Sequence, residues 1–287
     1  MSTEKGVTGG AGASTPLGAA LGSKWANPSY LRDVQYATPA NLAARQAIYR
    51  YQRPQLGLYD WAIDLADLSG GETILDIGCG NGAYLATLHR RGHVGLTVGT
   101  DFSSGMLSSA RQARRAHHAQ PVVQGDATAL PFSASAADVV LSMHMLYHVP
   151  QPLRAVVELR RVVRAGGRVL IVLNEAAHQG QLRALLRDTR LEFGESGAGG
   201  ASELFDLDAG EEMASRFFDV QRHEVHGELV IPEPAPVLDY VKSMGIVQAG
   251  HAREAEMLRS VEAKIAETIN AEGAFRITTS CGCLVCR

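Results

Sequence analysis

The ten residues Thr73–Gly82, TILDIGCGNG, constrain this chain more than any other stretch. Thr73, Ile74, Leu75 and Ile77 form a short apolar run, interrupted by Asp76. Gly78, Gly80 and Gly82 follow at alternate positions, and AYLATLHRR then reads as a helix. A buried strand, a tight glycine turn and a helix N-terminus, in that order, open a nucleotide-binding βαβ unit. Glycines there let the backbone approach a ligand, because no Cβ stands in the way.

The glycines alone do not choose the nucleotide. GCGNGA also fits a dinucleotide fingerprint, with Ala83 as its last member. Asp76 discriminates. A carboxylate beside the turn repels a pyrophosphate, whereas it attracts an ammonium or a sulfonium. S-adenosylmethionine (SAM) carries both, so LDIGCGNG favours SAM over NAD. At this point the chain resembles the class I SAM-dependent methyltransferases.

Two further acidic residues follow at strand ends. HVGLTVGTD reads as a second strand ending at Asp101, about twenty residues past the glycines, where a carboxylate meets ribose hydroxyls. An acidic cap for the next helix is the alternative reading of Asp101. PVVQGDATALPF gives a third strand over Pro121–Gln124 and then Asp126 and Ala127. The Asp126 carboxylate can accept from an exocyclic amine, and the Ala127 amide can donate to a ring nitrogen. Phe102 and Met106 are candidates to pack on the adenine, and as core residues they would look the same in sequence. GDATALPF resembles the adenine-binding segment of small-molecule methyltransferases of the ubiquinone/menaquinone-biosynthesis type.

ADVVLSM is a fourth strand ending at Ser142 and Met143, followed by His144, Met145, Leu146, Tyr147 and His148. The resemblance continues through this segment, which in the family borders both the sulfonium and the incoming nucleophile. His144 is a candidate base, with a scaffold role as the even alternative. His148 reads as scaffold, and Tyr147 as a residue facing the substrate. A helix over Pro152–Arg164 with a glycine C-cap at Ala165-Gly166-Gly167 leads into the apolar strand GRVLIVL. Arg164-Ala165 stands where the family has Lys-Pro. Asn174, Glu175 and His178 follow that strand as candidate substrate contacts.

Length and composition fit this reading. The chain has 287 residues, 46% of them hydrophobic, with 27 Lys and Arg against 30 Asp and Glu. This describes one large α/β domain with additions, with no charge excess that demands nucleic acid or an acidic membrane. The basic end of the second helix, with Arg111, Arg114, Arg115, His117 and His118, reads as a solvated face. Four cysteines do not form a disulfide framework, and alternation in a strand splits Cys281 and Cys283 from Cys286, so no metal site is expected. With no signal peptide or apolar span, a cytoplasmic protein is expected.

The resemblance implies a Rossmann-like seven-stranded sheet with its last strand antiparallel and helices on both faces. Residues 1–23 read as a flexible tail and 24–60 as a helical lid rich in aromatics, including Tyr30 and Tyr36. A helix within this lid is expected to be capped by Asn41. The methyltransferase domain follows over 61–287, with a helical insertion at 231–272 between the last two strands, and a mobile loop at GESGAGGAS. The assigned site comprises Asp76, Gly78, Gly80, Gly82, Asp101, Phe102, Met106, Asp126, Ala127 and Ser142 for SAM. His144, Tyr30 and Tyr36 face the acceptor, with Tyr147 and His226 behind them. The expected reaction is in-line methyl transfer to a small, aromatic or natural-product acceptor, leaving S-adenosylhomocysteine. An rRNA or tRNA methyltransferase and a SAM-binding protein that transfers no methyl are the alternatives.

Overall fold

The computed structural model describes residues 24–114, 121–195, 205–245 and 253–287. The expected tail over 1–23, the side chains at the basic end of the second helix beyond Gln112, and most of the glycine-rich loop lie outside the described residues.

Among the described residues eight strands form one sheet: β1 (Gln52–Arg53), β2 (Ile74–Ile77), β3 (Thr97–Asp101), β4 (Val122–Gln124), β5 (Ala137–Met143), β6 (Val163–Asn174), β7 (Val220–Ile231) and β8 (Phe275–Cys286). The helices used below are α1 (Ala40–Ala47), α2 (Leu58–Asp64), α3 (Ala83–Arg90), α4 (Ser104–Arg114), α5 (Pro152–Val162), α6 (Gly180–Glu192), α7 (Leu207–Ala214), α8 (Ala235–Ser243) and α9 (Glu254–Glu272). The strand order is β1-β7-β8-β6-β5-β2-β3-β4. β4, β3, β2, β5 and β6 run parallel, and β8 is antiparallel to both β6 and β7. The expected seven strands are extended by β1, whose two residues pair with Leu229 and Glu228 at the edge.

The parallel strands are apolar on both faces because helices cover both. Ile74, Val139, Leu141 and Leu170 pack towards α2 and α3 on one side. Leu75, Val140, Ile171 and Leu173 pack towards α5 and α7 on the other. A further cluster joins Leu229, Ile231 and Ile277 of β7 and β8 to α6, α8 and α9 through Leu182, Val241, Val261 and Ile265. The helices α8 and α9, between β7 and β8, therefore join α6 in a helical layer against the antiparallel end of the sheet.

Two expected boundaries are corrected. Asn41 does not cap α1: Pro39 occupies the cap position, and the Asn41 amide donates instead to the Gln35 carbonyl at 3.2 Å. The helix α5 ends at Val162, not at the glycines, because Val163 turns extended and already pairs with Ala137 of β5. Sheet pairing thus overrides the helical pattern of LRRVVR.

The strand order reverses between β2 and β5, and the crevice of an open α/β sheet lies at the carboxyl ends on either side of such a switch.

Candidate active site

A cavity of about 480 Å³ opens there. Its floor is the turn after β2. Gly78, Gly80 and Gly82 adopt φ of 74°, 55° and 82°, in the left-handed region that a side chain strains. A Cβ on Gly78 would lie 2.8 Å from Met145 Cβ, so the turn needs glycine for space as well. The turn is locked by Asp101, whose Oδ2 accepts from the Gly80 amide and whose Oδ1 accepts from the Ser103 amide, both at 2.8 Å. A carboxylate has about four lone-pair directions, so two remain for a ligand. Burial raises the Asp101 pKa, against the backbone amides of Ser103, Gly80 and Phe102, which lower it. The helix cap is Ser103, whose Oγ accepts from the Met106 amide at 3.2 Å.

Gly78, Gly80, Asp101, Phe102, Met106, Asp126 and Ala127 all line this one cavity. Asp126 Oδ1 accepts from the Thr128 amide and hydroxyl, each at 2.8 Å, which fixes the carboxylate at the end of β4. Gly82, Asp76 and Ser142 lie behind the wall. Gly82 caps α3 and lies against Ala110, and the Ser142 hydroxyl is buried inside β5 without a hydrogen-bond partner among the described residues. Asp76 is fully buried under the turn, and neither of its carboxylate oxygens has a partner among the described residues. Burial first, and Asp101 second, raise its pKa to about 7. An orphaned buried carboxylate is costly, and a cationic group brought close would relieve it. These carboxylate acceptors therefore fit a ligand with a positive end and a ribose-like diol.

The opposite wall comes from the segment before β2 and from the loop after β5. The Tyr36 hydroxyl lies 2.8 Å from His148 Nε2, while His148 Nδ1 lies 3.1 Å from the Trp25 carbonyl. Nδ1 must donate to a carbonyl, so Nε2 is the acceptor and Tyr36 donates to it. In the same way the Ser280 amide donates to His178 Nδ1 at 3.1 Å, leaving His178 Nε2–H to donate to the Tyr49 hydroxyl at 3.3 Å. His144 sits at φ 54° and its amide donates to the Val172 carbonyl at 2.9 Å. Its ring faces the cavity rather than bulk water. Desolvation lowers the pKa of His144 and His148 to about 4 and of His178 to about 3, so all three rings are neutral at pH 7. Burial likewise raises the pKa of Tyr36 and Tyr147.

Tyr36, Tyr147 and His144 line the cavity, but Tyr30 does not. Tyr30 is corrected: its hydroxyl donates to Gln35 Oε1 at 3.3 Å and its ring packs edge-on against Trp25, so the turn at Leu31–Gln35 sends it away from the site. His226 is on the exposed face of β7, 2.9 Å from Glu175, also away from the cavity. Arg45, Tyr49 and Tyr240 line the cavity without having been singled out as site residues. Tyr49 carried a signal, the density of aromatics before Pro54. Arg45 and Tyr240 sit in ordinary amphipathic helices and carried none.

Residues 75–171 match the model of a methyltransferase domain. Over that span the chain is similar to a methyltransferase domain. The chain is 35% identical over 112 residues to the demethylmenaquinone methyltransferase of Bacillus licheniformis, a match covering 39% of this chain and 48% of that protein. It is 38% identical over 118 residues to the phosphatidylethanolamine N-methyltransferase of Cereibacter sphaeroides, covering 40% and 57%. The chain thus spans about half the length of these curated relatives. The solved structure of the YcgJ protein of Bacillus subtilis superposes with a TM-score of 0.55 at 18% identity, covering 80% of this chain and 97% of that one, a likeness of fold. The matched span runs from β2 into β6 and holds Asp76, Asp101, Asp126 and His144. The wall built by Tyr36, Arg45, Tyr49 and Tyr240 lies outside it. No helix among the described residues is long and apolar enough to cross a membrane.

Proposed function

We propose that this chain transfers a methyl group from SAM to a small, partly apolar acceptor. The observation that carries the reading is that one cavity has two chemically different walls. Carboxylates at the ends of β3 and β4 and the glycine turn form one, and tyrosines with neutral histidines form the other. When bound, SAM supplies an electrophilic methyl on a good leaving group. Asp101 would hold the ribose hydroxyls with its free lone pairs and Asp126 and the Ala127 amide the adenine edge, while Asp76, buried behind the turn, would attract the positive end through its charge rather than by contact. Gly78 and Gly80 keep the floor open.

The acceptor wall then has a positioning task, because aligned approach accounts for much of the rate in such a displacement. Tyr36 and Tyr147 offer aromatic faces with polar tips. The residues 24–60 would act as a lid, held down by Tyr36 on His148 and by the Ser103 hydroxyl, which donates to the Tyr36 carbonyl at 2.7 Å. His144 is a weak base with a pKa of about 4, so it suits orienting a nucleophile better than deprotonating a phenol or an amine.

The relatives' names supply quinone and lipid-headgroup acceptors, not RNA, as molecules that domains of this type serve. The test is incubation with SAM and a panel of phenols, quinols and indoles. The reading expects S-adenosylhomocysteine and a product heavier by one methyl group. Tight SAM binding with no S-adenosylhomocysteine formed from any acceptor would favour a binding protein that transfers nothing.

A further inference from the structure

We propose that Arg45 forms an anion subsite in the acceptor half of the cavity, so that the acceptor is an aromatic acid bound through its ionised carboxylate. This rests on the methyl-transfer reading and names its substrate class.

Arg45 lies on α1 and lines the cavity. Its Nη1 makes one long bond, 3.3 Å, to the Ser243 carbonyl at the end of α8. Its Nη2 is buried and has no hydrogen-bond partner among the described residues. A guanidinium has five N–H donors in a rigid fork, and burying one unmatched is costly. The neighbours do not neutralise the charge. The guanidinium stands 5.3 Å over the Tyr36 ring, and its positive charge is felt at Tyr36, Tyr147, Tyr240 and His148. Those are aromatic groups and a neutral imidazole, and no carboxylate lies within ion-pair distance among the described residues. Arg32, the other cation of the lining, is already paired with Asp33 at 2.7 Å.

Position on α1 assigns this charge to the acceptor rather than to the cofactor. Leu42 and Gln46 share one helix face and meet the glycine turn: Leu42 would lie 3.5 Å from a Cβ on Gly80, and Gln46 accepts from the Asn81 amide group at 3.4 Å. Arg45 is one position round, towards α8 and the tyrosines. The cavity is therefore polarised, with three aspartates at or beneath the strand ends and an uncompensated guanidinium across from them. A cation at the acidic end and an anion at the other complete both halves. A planar carboxylate matches the guanidinium fork, and a ring beside it matches the surrounding aromatic faces. An ionised acceptor also fits a site whose histidines are poor bases.

The probes are benzoate and its neutral isostere benzamide, titrated calorimetrically into the full chain with and without saturating S-adenosylhomocysteine. Wild type, Arg45→Gln and Arg45→Lys are compared, and S-adenosylhomocysteine affinity is measured in each. The proposal expects benzoate to bind wild type at least tenfold tighter than benzamide. It expects Arg45→Gln to abolish that preference, Arg45→Lys to keep part of it, and S-adenosylhomocysteine affinity to stay within about twofold throughout. Equal binding of the two probes, no benzoate binding at millimolar concentration, or a preference that survives Arg45→Gln overturns it. A tenfold loss of S-adenosylhomocysteine in Arg45→Gln also overturns it, by giving the guanidinium to the cofactor's own carboxylate. Failure of wild type to bind S-adenosylhomocysteine at all strikes the parent reading instead, and the probes without it still read Arg45.

Discussion

The Tyr36 hydroxyl donates to His148 Nε2 at 2.8 Å, and this bond joins the segment before the first sheet strand to the loop after β5 across the mouth of the site. His148 can accept it only because its other nitrogen is committed to the Trp25 carbonyl. Both ends of that relay belong to the N-terminal segment, so one imidazole pins it twice.

Tyr36→Phe removes the donor and leaves the ring. A neutral hydrogen bond of this kind contributes about 1 kcal/mol, so acceptor KM should rise about fivefold. The bond touches no part of the glycine turn, and S-adenosylhomocysteine affinity should change less. Steady-state kinetics with an identified acceptor, beside a calorimetric titration, separates the two. Equal losses in both would mean the bond supports the whole domain rather than the lid.

Gly105, in the first turn of α4, lies directly against the same segment. A Cβ there would enter the Ala37 carbonyl, which is backbone and cannot swing aside. Gly105→Ala should therefore lift the 36–37 segment off the domain while leaving α4 helical. Hydrogen exchange should quicken across residues 25–38, and the domain's melting temperature should fall by only a few degrees. Unchanged exchange in that segment contradicts the attachment.

The buried imidazoles and Asp76 give opposing pH dependences. His144, His148 and His178 have folded pKa values of about 3 to 4, below the value of about 6.5 expected unfolded, so the unfolded chain binds more protons between those limits. Their contribution is present above pH 6.5 and is lost as pH falls towards 4. Asp76 is raised to about 7, so the folded form binds the extra proton, and its contribution is lost as pH rises from about 4 to 7. Asp76→Asn removes that second effect. The melting temperature of the ligand-free variant should climb more steeply from pH 4 to 7 than that of the wild type and exceed it at pH 8. Parallel curves would mean that Asp76 is not desolvated in solution.

The contrast between what the chain declared and what it hid has a physical basis. Asp76, Asp101 and Asp126 were readable because each sits at the end of an apolar strand, and strand ends meet at one edge of a parallel sheet whatever the rest does. Asp101 was read as ribose ligand or helix cap. The structure adds its bond to the Gly80 amide, and gives the cap to Ser103. Tyr30 and Tyr36 look alike in sequence because composition carries no direction, and a wide π-helical turn over Leu31–Gln35 separates their side chains. Arg45 and Tyr240 come from α1 and α8, two helices nearly two hundred residues apart in sequence, and only tertiary packing brings them to one wall. Asn41 has the composition of a cap, but Pro39, two residues earlier, holds the cap position.

The central claim is that the glycine turn and its acidic strand ends hold SAM. Calorimetric titration of SAM and S-adenosylhomocysteine into wild type and Asp101→Ala tests it most directly. Asp101 both orients the Gly80 amide and keeps lone pairs free for the ligand, so the account predicts binding of both compounds by wild type and a loss of at least tenfold for both in the variant. No binding of either compound to the wild type, or equal binding by the variant, would contradict it.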